Sequence, residues 1–173
     1  CSHSPVTNGT HVFAWLGSRG LHCVDMDGNV KWSKDLGKMQ TRNSFGEGSS
    51  PALSGDTIVI NWDHEGEDFI AAFNTTDGSE RWRQKREEET TWTTPLIVEH
   101  EGKKQVIVSA TTRIRSYELE TGKELWKVIN GDPKRGETGT QAPMVIKDKI
   151  VVGISGAEFG VRGDLGRRVA RPP

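Results

Sequence analysis

Apolar residues come in short bursts along this chain, "HVFAWL", "TIVINW", "QVIVSA" and "KIVVGI", with Gly, Asp and Asn between them. Each burst is rich in β-branched and aromatic residues and is too short for a helix, and no segment sustains a 3.6-residue period. The pattern predicts many short strands joined by tight turns. "NGT" at Asn8 and "NTT" at Asn74 read as turns of this kind rather than as glycosylation sites.

The bursts are punctuated regularly. A small residue followed by Pro opens a strand-rich run at Ser4-Pro5, Ser50-Pro51, Thr94-Pro95 and Ala142-Pro143, and the prolines fall 46, 44 and 48 residues apart. Three of the runs close on a Gly followed four residues later by Trp: Gly28 and Trp32, Gly78 and Trp82, Gly122 and Trp126. Units of this length holding several strands are the signature of β-propeller blades, which bury their faces against one another. A β-sandwich would not demand such punctuation. The Gly supplies the positive φ of a turn and the indole supplies apolar area between blades, so Trp32, Trp82 and Trp126 are expected to be buried there.

Composition narrows the picture. The 173 residues are 33% hydrophobic with a net charge of -1, so the chain offers no electrostatic footprint for a phosphate backbone, and nucleic acid is not an expected partner. No apolar run reaches the roughly 20 residues of a spanning helix. "CSHSPVTNGT" has neither an initiator Met nor a signal-like region, which predicts that the natural N-terminus lies upstream. Cys1 followed by Ser2 would also suit a lipid-anchored start, and two cysteines define no disulfide framework.

"AFNTTDGSERW" (72–82) and "SYELETGKELW" (116–126) resemble the blade motif of the pyrroloquinoline quinone (PQQ) type propeller repeat, and "CVDMDGNVKW" fits with one residue fewer in its turn. The resemblance implies an all-β fold, an incomplete β-propeller of three four-stranded antiparallel blades plus part of a fourth, over residues 1–163. Residues 164–173, "DLGRRVARPP", have no strand pattern and are expected to be a disordered or divergent tail.

"TGTQAPMVIKDKIVVGISGAEFGVRG" (138–163) resembles the matching blade of quinoprotein alcohol dehydrogenases such as the methanol dehydrogenases. That resemblance implies cofactor contacts at Thr140, Ser155, Gly156 and Ala157 and a Ca²⁺ ligand at Glu158. Ca²⁺ is a hard ion that takes oxygen ligands, and small neighbours let a flat cofactor approach the backbone. The alternative for Glu158 is a strand end paired with Arg162.

The sequence also departs from that family. The adjacent Cys-Cys pair expected before this Glu is missing, and further ligands, the catalytic Asp and a stacking Trp come from later blades. The chain is therefore expected to contribute part of a PQQ and Ca²⁺ site without being catalytic alone, with export to the periplasm implied by the resemblance. The alternative is a non-catalytic scaffold, its arc completed by a protein partner or a second copy.

Three further readings come from the residues. "DHEGED" (63–68) is expected to be an exposed hairpin turn, and "KREEETTW" (85–92) a solvated charged face. The loops before each Pro, with Arg42, Asn43, Trp92 and Thr140, lead into the innermost strands and are expected to line the axis.

Overall fold

The computed structural model describes residues 3–147 and 149–155. Strands β1 (Val6–Thr7), β2 (His11–Trp15), β3 (Leu21–Asp25) and β4 (Val30–Lys34) form the first antiparallel sheet, in that order. The second holds β5 (Ala52–Ser54), β6 (Thr57–Trp62), β7 (Phe69–Asn74) and β8 (Glu80–Lys85), and the third β9 (Leu96–His100), β10 (Lys103–Ser109), β11 (Arg113–Glu118) and β12 (Glu124–Ile129). A fourth, two-stranded sheet pairs β13 (Met144–Ile146) with β14 (Lys149–Val151). The only helical turns among the described residues are three short 3₁₀ segments, at Gly17–Arg19, Arg42–Ser44 and Pro133–Arg135. The architecture is the expected incomplete propeller, with β5 lying against both β1 and β9 so that first strands gather on the inside.

The Gly–Trp landmark works between blades. The indole N–H of Trp32 donates to the Thr75 carbonyl at 2.9 Å, and that of Trp82 to the Leu119 carbonyl at 2.7 Å, so each Trp docks on the next blade's last turn. The ring lies where a side chain on the next Gly would be: a Cβ at Gly78 would stand 2.7 Å from Trp32, and one at Gly122 2.5 Å from Trp82. Both glycines have positive φ, so turn geometry and close packing select the same residue. The turn in blade one closes from Gly28 N–H to the Asp25 carbonyl, whereas those in blades two and three close over one more residue, Gly78 to Asn74 and Gly122 to Glu118. Trp82 is buried as expected, but Trp32 and Trp126 are only half-buried. The Trp126 indole N–H donates within its own blade, to Gln105 Oε1 at 3.3 Å, while its ring packs on the layer of Ile107, Ile114, Ile150 and Val152 between the third and fourth sheets.

The core is a set of interblade layers. Phe13, Trp15, Leu21 and Cys23 of blade one meet Ile58, Ile60, Trp62 and Phe73 of blade two. Val59, Ile70, Ala72 and Trp82, from the opposite face of that blade, meet Val106, Val108 and Tyr117. The period-2 alternation of β6 and β7 puts apolar side chains on both faces, which is why "TIVIN" and "FIAAF" are almost unbroken apolar runs.

The small residues before each Pro tie the inner strands together. Ser4 N–H donates to Ser50 Oγ (2.9 Å), Ser50 N–H to Thr94 Oγ1 (3.1 Å) and Ser49 Oγ to the Thr93 carbonyl (2.8 Å). Pro at the strand start costs no ladder bond, and the hydroxyl beside it satisfies the neighbouring blade.

Candidate functional site

One end of the arc collects the loops between blades and the turns between the second and third strands. Carboxylates stitch these together through a repeated contact to both the N–H and the hydroxyl of one Ser or Thr. Glu47 receives Ser18, Glu65 receives Thr90 (N–H 3.1 Å, hydroxyl 2.7 Å) and Glu88 receives Thr112 (3.0 and 2.5 Å). The Thr90 hydroxyl is the main reason the Glu65 carboxyl sits below the ordinary carboxylate range.

The two charged segments are not solvated as their composition implied. Asp63, His64 and Asp68 are buried, with only residues 65–67 exposed at the turn, and Arg86, Glu88 and Thr90 are buried within the run read as a charged face. The cause is mutual pairing across blades two and three. Arg86 donates from Nε to Asp63 Oδ1 (2.7 Å), from a terminal nitrogen to Asp63 Oδ2 (3.0 Å) and from the other to the Tyr117 hydroxyl (3.0 Å). Thr91 and Asn61 also donate to Asp63 Oδ2, at 2.8 and 2.9 Å. Burial disfavours the Arg86 cation, yet Asp63 and Tyr117 outweigh it and raise its pKa. Burial pushes the Asp68 carboxyl up, against the pull of the Glu88 and His64 backbone N–H groups.

Thr140 and Ser155, both expected to contact a cofactor, come together at this end. Ser155 forms a β-bridge with Thr138, N–H to carbonyl in both directions at 2.8 and 3.0 Å. This brings Ser155 Oγ to 3.2 Å from Thr140 Oγ1. Ser155 Oγ donates its proton to the Thr138 carbonyl at 3.0 Å, so in the contact between the hydroxyls Thr140 is the donor and Ser155 the acceptor. Both side chains are half-buried. At Gly139 the backbone leaves no room for a side chain, because a Cβ would meet the Ala110 carbonyl at 2.5 Å; one at Gly153 would meet only the movable end of the Gln141 side chain. Gly156, Ala157 and Glu158, with the 164–173 tail, lie outside the described residues. Among the described residues no group of three His, Cys, Asp or Glu is placed to hold a metal ion.

Of the loop residues expected along the axis, Arg42 donates its N–H to Thr90 Oγ1 (2.9 Å) and ion-pairs with Glu89, and Trp92 donates its indole N–H to the Gly46 carbonyl at 2.8 Å. Sequence reasoning passed over Phe45, 6.5 Å from Trp92 between ring centres, and the three clamping glutamates. Phe45 sits among Gly and Ser in "RNSFGEGSS", the one signal that could have drawn attention to it. The glutamates had none, being acids among other polar residues.

A separate cleft of ≈ 560 Å³ opens between blades one and two at the same end, walled by Leu36, Trp62, His64, Asp68 and Phe69. Trp62 and Phe69 stack at 5.4 Å, and His64 Nδ1 accepts the Gln40 N–H at 3.0 Å, which puts the imidazole proton on Nε2. Among the described residues, neither Thr140 nor Ser155 lines it.

The chain matches the family described as outer membrane protein assembly factor BamB over residues 17–171. It is 56% identical over 54 residues to a lanthanide-dependent methanol dehydrogenase of Methylacidiphilum fumariolicum, covering 31% of this chain and 9% of that protein. It is 32% identical over 148 residues to methanol dehydrogenase subunit 1 of Paracoccus denitrificans, covering 78% of this chain and 23% of that one. Among solved structures, a europium-containing methanol dehydrogenase aligns with TM-score 0.61 at 28% identity, covering 78% of this chain and 24% of that one. BamB from Moraxella catarrhalis aligns with TM-score 0.65 at 14% identity, over 92% and 51%, a likeness of fold alone. The chain thus spans about a tenth to a quarter of the length of these dehydrogenases.

Proposed function

Because the chain belongs to the family of outer membrane protein assembly factor BamB propeller repeats, with similarity to PQQ-type dehydrogenases over part of its length, we propose that it is a propeller arc of an exported, periplasmic quinoprotein alcohol dehydrogenase-like protein. In this reading it supplies one side of a PQQ and metal site, through Thr140, Ser155, Gly156 and Ala157 toward the cofactor and Glu158 toward Ca²⁺ or, since one relative is lanthanide-dependent, a trivalent hard cation of similar size.

The observation that carries the reading is the 3.2 Å contact between Thr140 and Ser155. The two come from different elements, 15 residues apart, and a single ligand can touch both only if they meet. The donor set suits such a ligand: half-buried hydroxyls beside a backbone held to glycine. When bound, PQQ accepts the hydride equivalent of an alcohol, with a hard cation polarising its carbonyl. This chain's own part is to position that group through its hydroxyls and to exclude bulk beside it. The resemblance assigns the catalytic Asp and further ligands to later blades, so the chain alone is expected to give no dye-linked alcohol oxidation with added PQQ and Ca²⁺.

Calorimetric titration with Ca²⁺ tests the metal half. One carboxylate without further protein ligands holds the ion at about millimolar affinity or weaker, because affinity follows ligand charge and count. Glu158→Gln should remove that heat, and an unchanged titration would overturn the assignment.

The BamB-family match supports a second reading, a catalytically silent scaffold whose faces contact proteins or a second copy that completes the ring. Specific retention of a partner, with no heat from PQQ or Ca²⁺, would favour it.

A further inference from the structure

We infer that the cleft between blades one and two binds a small zwitterion with an apolar body, a free amino acid carrying a large apolar side chain; none of its residues belongs to the cofactor reading above.

The cleft's ≈ 560 Å³ falls in the range of small-molecule sites. One wall is a cross-strand row on a single face of blade two, in which Trp62 pairs with Phe69 and Phe69 with Lys85. The row runs from two buried rings to an exposed ammonium. Leu36 and Lys38, from the linker that follows β4, repeat that sequence of apolar then cationic on the other wall. The Phe69 ring is already covered on its faces, stacked on Trp62 and lying 3.9 Å from the Arg83 guanidinium. A ligand therefore meets ring edges and the half-buried Leu36, a narrow apolar strip that suits one side chain.

Most polar groups around the strip are occupied. His64 uses both ring nitrogens, Nδ1 on the Gln40 N–H and Nε2 on the Glu67 carbonyl at 3.3 Å. Asp68 gives one oxygen to the His64 N–H at 3.2 Å and the other to the Glu88 N–H at 2.8 Å. Arg83 is held by Glu80 through three hydrogen bonds, at 3.1, 3.2 and 2.6 Å. Three charged ends are left over: the ammoniums of Lys38 and Lys85 and the carboxylate of Glu67. All three are exposed, and none has an ion-pair or hydrogen-bond partner among the described residues. A ligand of one sign would meet its own sign on that rim, whereas a zwitterion answers both. An amino acid brings an ammonium for Glu67, a carboxylate for the two lysines and a side chain for the strip beneath them.

The test is a chemical-shift titration of the ¹⁵N-labelled full chain with L-phenylalanine. The amides of Glu67, Phe69 and Lys85 should shift and saturate with a dissociation constant of about 1 mM, the scale expected for so small a ligand. The analogues 3-phenylpropionate, which lacks the ammonium, and phenethylamine, which lacks the carboxylate, should each bind about two- to fivefold more weakly, as solvent-exposed ion pairs allow. Glu67→Gln should erase the advantage over 3-phenylpropionate and leave that over phenethylamine. The double change Lys38→Gln, Lys85→Gln should do the reverse. The three side chains are exposed, so these variants should keep the parent's amide spectrum away from the cleft. Absence of saturable shifts at the cleft up to about 20 mM overturns the inference. So does an analogue that binds as tightly as L-phenylalanine, or an advantage that survives the matching substitution.

Discussion

The indole N–H of Trp82 reaches across to the Leu119 carbonyl of the next blade at 2.7 Å, with its ring on Gly122. The contact sets two costs. Trp82→Ala removes a buried ring from an interblade layer and should cost about 3–5 kcal/mol in denaturant melts. Gly122→Ala should destabilise through both its positive φ (73°) and the 2.5 Å approach of its Cβ to the ring. Trp32→Ala, at a half-buried site, should cost less than Trp82→Ala. Equal losses at the two positions would mean that burial does not set the scale.

Asp63 and Arg86 are fully buried and bound by two hydrogen bonds. Replacing Asp63 by Ala leaves a buried guanidinium without its counter-charge, with an expected loss of about 3–5 kcal/mol. The double replacement Asp63→Leu, Arg86→Met should lose clearly less than the sum of the single changes. A double-mutant cycle on urea unfolding checks this, and additive losses would show that the pair is not coupled.

These two sites show what could and could not be read from the sequence. The Pro and Gly–Trp landmarks answer local demands, a strand start without a ladder bond and a turn with positive φ, and they recur because every blade has the same demand. The charged run from Lys85 is different. Whether Arg86 and Glu88 face water depends on Asp63, Tyr117 and Thr112, which lie 23 to 31 residues away, and nothing within the run names them. Thr140 and Ser155 fall between these cases. Their hydroxyls follow no period, so only the resemblance picked them out, while their meeting depends on the bridge from Thr138 to Ser155.

Cys23 lies in the layer between blades one and two, where burial pushes its thiol pKa up. A raised pKa and a closed site both suppress the thiolate that reacts. In a Cys1→Ser chain, Ellman's reagent should label Cys23 only as the protein unfolds, with labelling and loss of structure following one denaturant curve. Rapid labelling of the native chain would show that this layer opens locally.

Acid should act on the Glu65–Thr90 clamp, with a sign set by the Glu65 carboxyl itself. Its carboxyl is held below its ordinary value, chiefly by the Thr90 hydroxyl and further by the Thr90 N–H, with burial opposing. A group whose folded pKa is depressed lends stability that is fully present above its unfolded value, near pH 4.3, and is lost as pH falls through the folded one. Asp68, with its carboxyl pushed up by burial, contributes with the opposite sign: its cost to the fold is relieved as pH drops through its raised value. Glu65 is exposed at the turn, so its share is small and best read as a difference. Thr90→Val keeps the backbone N–H and deletes the hydroxyl. The melting temperatures of the parent and the variant should therefore differ most above about pH 5 and converge toward about pH 3. A gap that stays constant across that range would assign the loss to the hydroxyl's packing and not to the ionised clamp.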